Sequence, residues 1–504
     1  MNKIAILGIP IDNLSLEETV GCTFDMISSF EQDRRPRHIC TVNTDFVVNT
    51  LAWHLRKTRH PELLDILRKA DLVTADGMPM VWTSRLLGTP LKGRVTGADL
   101  APELAREASI RHRSIYLLGG KEDAAAQAAR VLTDLYPDLE IAGCECPYVH
   151  TEGENLIDAT ENDLPIAEKI NASGADILLI AFGNPKQELW FERNRHRIEV
   201  PVSIGIGGTF EFITGSIRRA PLWMQRTGLE WLFRLTQDPK RLWKRYLMDF
   251  LKFGALVWPS ILLNKYLTLT SISGPGKPHY NKEPVHETGL NPNKSIIHCP
   301  DILDKQSSNI LGKEISDKTD RCDNIILDLS KTSYIDAHGF GSIIHWVNVL
   351  NRAQKRMYLA AMDSSIRRAF IFNKVIDIFT DRIFECPHEA IRHIAGQKSE
   401  PSIYYTSETS KGYYVLSFHG DLTGGGILNK MILDIKPQGA KVVANLVDIK
   451  HIDTLGIIFL MKLGQKIYSS GSEFALCVPD NNVRQVFRAT KTSGFFRFTN
   501  PDLL

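Results

Sequence analysis

The sequence predicts an α/β protein in two halves: a Rossmann-like layered domain built on a parallel sheet, followed by two small copies of one α/β unit. Short apolar runs alternate with helical patterns along the first half, as in a parallel sheet with crossover helices. Residues 271–294 are rich in Pro, Gly, Asn and His without periodicity, which predicts a flexible linker. Beyond the linker, one pattern occurs twice.

Length and composition limit the class of protein. The 504 residues suffice for about three or four domains, and 43% hydrophobic with 23% charged residues is ordinary for globular proteins. A net charge of +2 argues against a nucleic-acid-binding protein, so a basic partner site must be local. The eight cysteines are scattered, and the close pair Cys144 and Cys146 lacks a second pair at metal-ligand spacing. We therefore expect reduced cysteines in an intracellular protein.

No targeting or membrane-spanning segment is expected. The N-terminal residues have a strand pattern rather than the features of a signal peptide. No uninterrupted apolar run reaches the ~18 residues that a spanning helix needs. The protein is therefore expected to be cytosolic or attached to one face of a membrane.

Strands and helices alternate through the first half. Strands are predicted at residues 3–7, 38–42, 72–75, 114–119, 177–181 and 202–206, and helices at 15–30, from about 79, at 100–107, at 124–135 and around Trp190. The turn after the first strand lacks G-x-G-x-x-G, which disfavours a dinucleotide-binding oxidoreductase.

Polar residues and glycines follow the last two of these strands. Asn184, Lys186 and Gln187 follow residues 177–181, and Gly207 and Gly208 follow residues 202–206. The carboxyl ends of parallel strands share one edge of a sheet, where ligands bind. A backbone without Cβ allows close approach of an anion, and the amide and amino groups are donors. Alternatively, the glycines only mark a turn and the polar residues cap helices.

Two earlier strands also deliver polar residues to this edge. Thr41, Asn43 and Asp45 lie at the end of the second strand, where such residues cap a helix, bind a ligand or do both. Asp76 follows the third strand and precedes a turn at Gly77. A carboxylate beside a helix N-terminus is favoured in its charged form. Asp76 is therefore either a general base or an ordinary helix cap.

A basic, aromatic tail follows the alternating region. Between residues 216 and 252 there are nine Lys or Arg and three acidic residues, with Trp, Tyr and Phe interleaved at helical spacings of three and four. Amphipathic helices of this composition lie on anionic membranes, although buried scaffold helices and nucleic-acid-binding helices share it. Residues 253–263 are apolar but short and interrupted by Pro259, so they are not expected to cross a bilayer.

Five motifs, in order, carry a family resemblance. They are Thr41-x-Asn43-x-Asp45, ADGMP ending at Pro79, RVTGAD ending at Asp99, FGNPKQE ending at Glu188 and GIGGTFEFITG ending at Gly215. Residues 1 to about 250 resemble the WecG/TagA/CpsF family of bacterial glycosyltransferases. The resemblance implies transfer of an N-acetylmannosamine-type sugar from a UDP donor to an N-acetylglucosaminyl diphospho-polyprenol, with inversion and without a metal or other cofactor. It also implies action at the cytoplasmic face of the inner membrane, in polysaccharide biosynthesis of the cell envelope.

The resemblance also implies roles for individual residues. Inversion is a single displacement, so one base must take the proton of the acceptor hydroxyl, and the family's aspartate corresponds to Asp76. Without a metal, the charge developing on the diphosphate needs Arg, Lys or backbone N–H groups. The substrates are then held by Thr41, Asn43, Asp45, Arg94, Asn184, Lys186 and Gln187, with Gly207 and Gly208 beneath the nucleotide and one or more of Arg234, Arg241 and Arg245 folded over the diphosphate.

The second half contains an internal repeat. The segment around Asp336-Ala-His-Gly339 recurs as Asp453-Thr-Leu-Gly456, and Phe370 recurs at the same spacing as Phe487. Both copies resemble STAS domains, the anti-sigma-factor-antagonist fold, which implies binding of protein partners. In that family the residue after the aspartate is often phosphorylated by a partner kinase, which makes Thr454 a candidate and excludes Ala337. Alternatively, Thr454 only caps its helix.

The predicted organisation is a glycosyltransferase domain at 1–245, the end of a membrane-facing appendage at 246–270, a linker at 271–295 and STAS-like domains at 296–398 and 399–504. Expected partners are a UDP-sugar donor, a polyprenyl-diphosphate-linked acceptor, a membrane surface, a protein or kinase at the STAS-like domains and further copies of the chain in a homo-oligomer, but not nucleic acid. The alternative function is a regulatory scaffold whose enzyme half is catalytically inactive.

Overall fold

The structure is a computed structural model that describes residues 3–52, 58–271, 295–396, 403–410, 412–435 and 441–499. Most of the predicted linker and the side chain of Arg241 lie outside the described residues. The strands are β1 (Lys3–Ile6), β2 (Ile9–Asp12), β3 (Arg37–Val42), β4 (Leu72–Ala75), β5 (Ser114–Gly119), β6 (Glu140–Glu145), β7 (Ile177–Ala181), β8 (Val202–Gly205), β9 (Ile296–His298), β10 (Ile302–Leu303), β11 (Asn324–Asp328), β12 (Tyr334–Ile335), β13 (Arg356–Ala360), β14 (Ile383–Phe384), β15 (Ile403–Ser410), β16 (Tyr413–Gly420), β17 (Lys441–Asn445), β18 (Glu473–Cys477) and β19 (Arg497–Thr499).

The helices are α1 (Leu16–Asp33), α2 (Thr44–Thr50), α3 (Pro61–Lys69), α4 (Met78–Leu86), α5 (Gly97–Arg111), α6 (Ala124–Leu135), α7 (Ala159–Asn162), α8 (Leu164–Ala172), α9 (Lys186–Asn194), α10 (Thr209–Ile213), α11 (Leu222–Thr227), α12 (Glu230–Gln237), α13 (Pro239–Ser271), α14 (Lys305–Thr319), α15 (Ala337–Arg352), α16 (Ser364–Phe372), α17 (Pro387–Gly396), α18 (Gly425–Asp434), α19 (Thr454–Ser469) and α20 (Asn481–Ala489).

A six-stranded parallel sheet organises the first half, in the order β4-β3-β8-β7-β5-β6. Its strands are apolar and mostly buried because helices cover both faces. The predicted α/β class is therefore confirmed. Helix α1 begins where it was predicted, next to Ser15, which forms a capping box with Glu18.

The first predicted strand lies outside this sheet. β1 pairs antiparallel with β2 in a separate hairpin. The hairpin is buried between α3, β4 and α15, a helix of the C-terminal half. An apolar run alone does not specify which strand it pairs with, so the sequence pattern could not distinguish this hairpin from another parallel strand.

Helix α13 is longer than predicted. It runs without interruption through Pro259, and its stretch Leu242–Leu269 is, among the described residues, long and apolar enough to cross a bilayer by length and composition alone. The expectation that no segment reaches this length was wrong because it required an unbroken apolar run, whereas a long helix carries isolated charges such as Lys252. Core helices meet the same criterion, and 28% of its most apolar stretch is buried.

In the described residues, the C-terminal half contains two larger sheets and the short parallel pair β10–β12. β9, β11, β13 and β14 are parallel, and β16 to β19 are parallel with β15 added antiparallel at the edge. The repeated turn has the same geometry in both copies: Asp336 accepts a hydrogen bond from the Gly339 N–H at 2.8 Å, and Asp453 accepts one from the Gly456 N–H at 2.8 Å. Each aspartate caps the helix that follows, α15 or α19.

Hydrophobic clusters extend between the two halves. Ala5 of β1 and Leu267 of α13 lie in the core of the first C-terminal unit. Leu156, Ile157 and Ala159 of the first half lie in the core of the second unit. Both C-terminal units are therefore packed against the first half by buried apolar side chains.

Candidate active site

Four neighbouring strands bring the predicted polar loops to one edge of the sheet. β4, β3, β8 and β7 are adjacent and parallel, so the residues after each strand share the carboxyl edge. Gly97 connects two of these loops: a Cβ on this residue would lie 2.9 Å from the carbonyl oxygen of Ile206. The start of α5 at Gly97 therefore lies directly against the end of β8 at this edge.

Asp76 is the carboxylate that follows β4, the outermost strand at this end of the sheet. Its backbone N–H donates to the carbonyl of Val42 at 2.8 Å, which holds it beside the end of β3. Burial raises the pKa of Asp76 to about 6, while the charges of Arg234 and Arg94 and a hydrogen bond from the Gly97 backbone act in the opposite direction. This pKa suits a group that accepts a proton near neutral pH.

Three guanidinium groups surround this carboxylate region. Arg94 donates to Glu230 at 2.7 Å, and Arg219 donates to Asp99 at 2.9 Å and lies 3.2 Å from Glu230. Arg234 lies 4.5 Å from the centroid of the Phe212 ring. Positive charge is thus concentrated where a diphosphate would need it.

Sequence reasoning missed Arg219. The residue stands in the basic tail next to Arg218, and both contribute equally to the count of charges there. The fold distinguishes them, because Arg218 is exposed whereas Arg219 turns toward Asp99.

The three tail arginines proposed for the site separate in the structure. Arg234 lies close enough to Asp76 for its charge to lower that residue's pKa. Arg245 instead forms an ion pair with Asp45, at the start of α2. The side chain of Arg241 lies outside the described residues.

Helices α11 and α12 of the tail cover part of the edge. The turn between them passes so close to α4 that a Cβ on Gly228 would lie 2.6 Å from the Cγ atom of Met78. Gly228 also has φ +82°, a conformation that side chains disfavour. The tail is therefore seated next to Asp76 by a close backbone approach that glycine permits.

Gln187 ties two of the loops together. Its Oε1 atom accepts hydrogen bonds from the backbone N–H groups of Gly207 at 3.0 Å and Gly183 at 3.2 Å, and its Nε2 atom donates to Glu188 at 2.6 Å. Gln187 is buried, so its side chain supports the turn at Gly207 from the interior of the protein. Its side-chain groups are used within the protein.

Glu188 was also missed as a site residue. It is fully buried and accepts a second hydrogen bond from Asn184 at 3.2 Å, and burial raises its pKa to about 7. A charged residue on a helix is expected at the surface, so the sequence pattern carried no signal of this burial beyond its place in the FGNPKQE motif.

The remaining predicted residues have these positions. The hydroxyl of Thr41 is buried and donates to the carbonyl of Gly205 at 2.8 Å, linking β3 to β8. Asn43 caps α2 by accepting from the Asp45 N–H at 3.0 Å. Lys186 lies 5.4 Å from the ring centroid of Tyr148, and Gly208 precedes α10 at an exposed position.

Within the described residues, no group of three or more His, Cys, Asp or Glu is placed to hold a metal ion. The charged groups gathered around Asp76 are Arg94, Arg219 and Arg234, which are paired with the carboxylates of Asp99 and Glu230. The arrangement can bind an anionic leaving group and accept one proton beside it.

The profile of the "Glycosyl transferase WecG/TagA/CpsF family" matches residues 4–266. The chain belongs to this family. Its first half is a glycosyltransferase domain, and the five motifs that carried the resemblance lie within the matched region.

Several bacterial relatives carry the name "N-acetylglucosaminyldiphosphoundecaprenol N-acetyl-beta-D-mannosaminyltransferase". One from Bacillus spizizenii is 31% identical over 224 residues, which are 44% of this chain and 77% of the relative. One from Bacillus subtilis strain 168 is 33% identical over 209 residues, 42% of this chain and 74% of the relative. One from Staphylococcus aureus strain MW2 is 27% identical over 240 residues, 48% of this chain and 87% of the relative.

The STAS domain profile matches residues 287–390, which confirms the first of the two predicted STAS domains. The assignment of the second copy stays a prediction. Its candidate residue Thr454 lies at the boundary between the second unit and helix α3.

Proposed function

We propose that the chain transfers an N-acetylmannosamine-type sugar from a UDP donor to a polyprenyl-diphosphate-linked N-acetylglucosamine, with inversion and without a divalent ion. The observation that carries the proposal is the half-buried Asp76, with a pKa of about 6, beside Arg94 and Arg234 at the carboxyl edge of the sheet. The names of the bacterial relatives support the same sugar and acceptor.

Asp76 acts as the general base in this mechanism. Its ionised carboxylate takes the proton of the acceptor hydroxyl as that oxygen attacks the anomeric carbon of the donor sugar, and the bond from this carbon to the UDP oxygen breaks. A raised pKa keeps the carboxylate basic enough to accept the proton while still mostly ionised at neutral pH.

The arginine cluster stabilises the departing UDP. Arg94, Arg219 and Arg234 supply guanidinium groups for the diphosphate, in the role that a metal ion has in other transferases. In the present structure Glu230 and Asp99 pair with Arg94 and Arg219. A bound diphosphate would compete with these carboxylates for the same donors.

We further propose that the protein works on the cytoplasmic face of the inner membrane. The outer face of α13 exposes Trp243, Leu247, Phe250, Leu251, Trp258, Leu262, Tyr266 and Leu269. An apolar, aromatic face with flanking Lys and Arg suits a membrane interface. The acceptor is a lipid, so its diphosphate lies at that interface.

Product analysis tests the proposal. Purified full-length chain, a UDP-sugar and a short-chain polyprenyl-diphosphate acceptor are incubated with and without chelator, and lipid-linked products are identified by mass spectrometry. A product heavier by one N-acetylhexosamine, formed equally in chelator, is expected. Absence of product from every candidate donor would favour the inactive-scaffold alternative, and loss of product in chelator would refute metal independence.

The variant Asp76→Asn identifies the base. Transfer is expected to fall about 10²- to 10⁴-fold, the usual contribution of a general base, while UDP affinity in calorimetry stays within about twofold because the arginines remain. Near-normal turnover would contradict the role of Asp76. Matched Asp99→Asn, which changes a neighbouring carboxylate, is expected to retain more activity.

A further inference from the structure

Helix α3 of the glycosyltransferase domain lies between the two C-terminal units. In its last turn, Arg68 forms an ion pair with Asp377 of the first unit at 3.1 Å and also bonds to the carbonyl of Lys374. In its first turn, Glu62 contacts the second unit. One short helix is therefore held at both ends by the C-terminal half.

The contact at Glu62 is buried and bidentate. Its Oε2 atom accepts from the hydroxyl of Thr454 at 2.5 Å, and its Oε1 atom accepts from the Thr454 backbone N–H at 3.0 Å. Thr454 is 1% exposed. A carboxyl group of the enzyme thus accepts hydrogen bonds from the first residue of α19, whose backbone N–H has no partner within the helix.

The surrounding contacts are of a different kind. Lys491 pairs with Glu152 at 2.7 Å and Lys462 pairs with Glu161 at 2.8 Å, both at the exposed rim. Surface pairs of this kind contribute little, whereas removal of one partner of a buried hydrogen bond is costly. Glu62 and Thr454 therefore form a buried side-chain contact at this interface, next to the hydrogen bonds from the Gly153 N–H to the carbonyl of Thr490 at 2.8 Å and from Gln485 to the carbonyl of Arg59 at 3.0 Å.

Helices α3 and α9 connect this interface to the candidate active site. α3 leads directly into β4, which ends at Asp76. Helix α9 packs against both α3 and α19, and its first residues include Gln187 and Glu188. Movement of the second unit would thus act on two of the loops that shape the site.

We propose that the Asp453–Thr454 turn of the second unit takes the enzyme's own helix α3 as its partner, and that docking on Glu62 excludes any other occupant or modification of this turn. The partner that fits is an acidic side chain at a helix start, and Glu62 supplies it within the chain. The phosphorylation predicted for Thr454 requires prior undocking, because its hydroxyl is buried and already donates to Glu62. An anionic group on Thr454 would bring its oxygen atoms, which accept hydrogen bonds, against the carboxyl oxygens of Glu62. The two groups could not form the present hydrogen bond, so the second unit could not dock again.

Hydrogen exchange of the full-length chain tests docking independently of catalysis. Thr454→Val and Glu62→Ala are each expected to speed exchange of residues 61–69 and 154–159 by about tenfold or more, as expected for loss of a buried hydrogen-bond pair. In the double variant these residues are expected to exchange as fast as in each single variant, because each of the three variants removes the same Glu62–Thr454 contact. Thr454→Ser and the rim variant Lys491→Ala are expected to resemble the parent.

Two results would overturn the proposal: unchanged exchange in Glu62→Ala, or additive effects in the double variant. Glu62→Ala is decisive because it alters no residue of the second unit, so unfolding of that unit cannot explain its effect. Thr454→Glu is expected to give the largest opening. The effect on sugar transfer rests on the proposed function and is measured separately as KM and kcat, so an inactive enzyme would leave the docking result intact.

Discussion

At the scale of single residues, the candidate site depends on which of several similar charged side chains the fold turns inward. Asp76 was identifiable because it stands at the end of an apolar run and before a glycine, which places it at the carboxyl edge of a parallel sheet. Arg219 and Glu188 could not be selected, because charge counts and helical periodicity do not reveal which charged side chain turns inward. Their positions depend on the ion pair with Asp99 and on the burial of α9, which are properties of the folded chain.

The pKa of Asp76 predicts the acid limb of the pH profile. A base with a pKa of about 6 is ionised above that value, so kcat/KM should be on its plateau at neutral pH and about tenfold lower at pH 5. The measurement is the initial rate of UDP release between pH 5 and pH 8. A profile that stays flat down to pH 4.5, where the ordinary aspartate would still be ionised, would refute the assignment.

Arg219 and its neighbour Arg218 provide a matched pair. Arg219→Met removes a guanidinium from the cluster at Asp99 and Glu230, and kcat/KM for the UDP-sugar should fall by about 10- to 100-fold. Arg218→Met removes the same charge from an exposed position and should have little effect. Equal losses in the two variants would show that only the overall charge of the tail matters.

At the scale of elements, periodicity predicted five of the six strands of the parallel sheet and α6 closely, whereas β6 was not predicted and α13 was mispredicted. The bounds of β7 and α6 match the predicted segments. α13 continues past Pro259 although proline removes a backbone donor, and its buried side is held by residues such as Phe253, Leu256 and Ile261. Tertiary packing thus keeps the helix continuous despite the proline. Sequence patterns do not include such packing, so they predicted a break.

The two sides of α13 should respond differently to substitution. Phe250 and Trp258 are 70% and 55% exposed, so replacing both with Glu should lower binding to anionic vesicles by about tenfold or more while leaving the melting temperature nearly unchanged. Leu256 is 2% exposed, and Leu256→Ala should reduce the free energy of unfolding by about 2–5 kcal/mol. Unaltered vesicle sedimentation of the double Glu variant would argue against a membrane role for this face.

At the scale of the whole molecule, the sequence repeat predicted two similar units but not where they pack. The turns at Asp336 and Asp453 have the same capping bond, yet the first unit meets β1 whereas the second meets Glu62. Surface complementarity between distant segments has no periodic signature. The interfaces could therefore be found only from the assembled fold.

Docking of the second unit should weaken as pH rises. Burial and the charge of Asp453 raise the pKa of Glu62 to about 8 from its ordinary 4.5, although the hydrogen bonds from Thr454 and the charge of Arg193 act in the opposite direction. Asp453, whose pKa burial also raises, faces Lys69 and Glu192. A group whose pKa is raised in the docked state stabilises docking fully below about pH 4.5, and this stabilisation is lost as pH passes through about 8.

Hydrogen exchange at residues 61–69, corrected for the intrinsic rate, is therefore expected to accelerate between pH 7 and pH 9. Glu62→Gln removes the titrating group and should abolish the acceleration. An identical pH response in that variant would assign it to another residue.

The buried hairpin β1–β2 has a consequence for how the chain is made. Its neighbour α15 is encoded more than 300 residues later, and His338 of that helix reaches back to within 3.3 Å of the carbonyl of Lys3. During synthesis the hairpin therefore leaves the ribosome more than 300 residues before α15, and its apolar surface stays uncovered until that helix has been made. Prematurely terminated products would display that surface to chaperones and proteases.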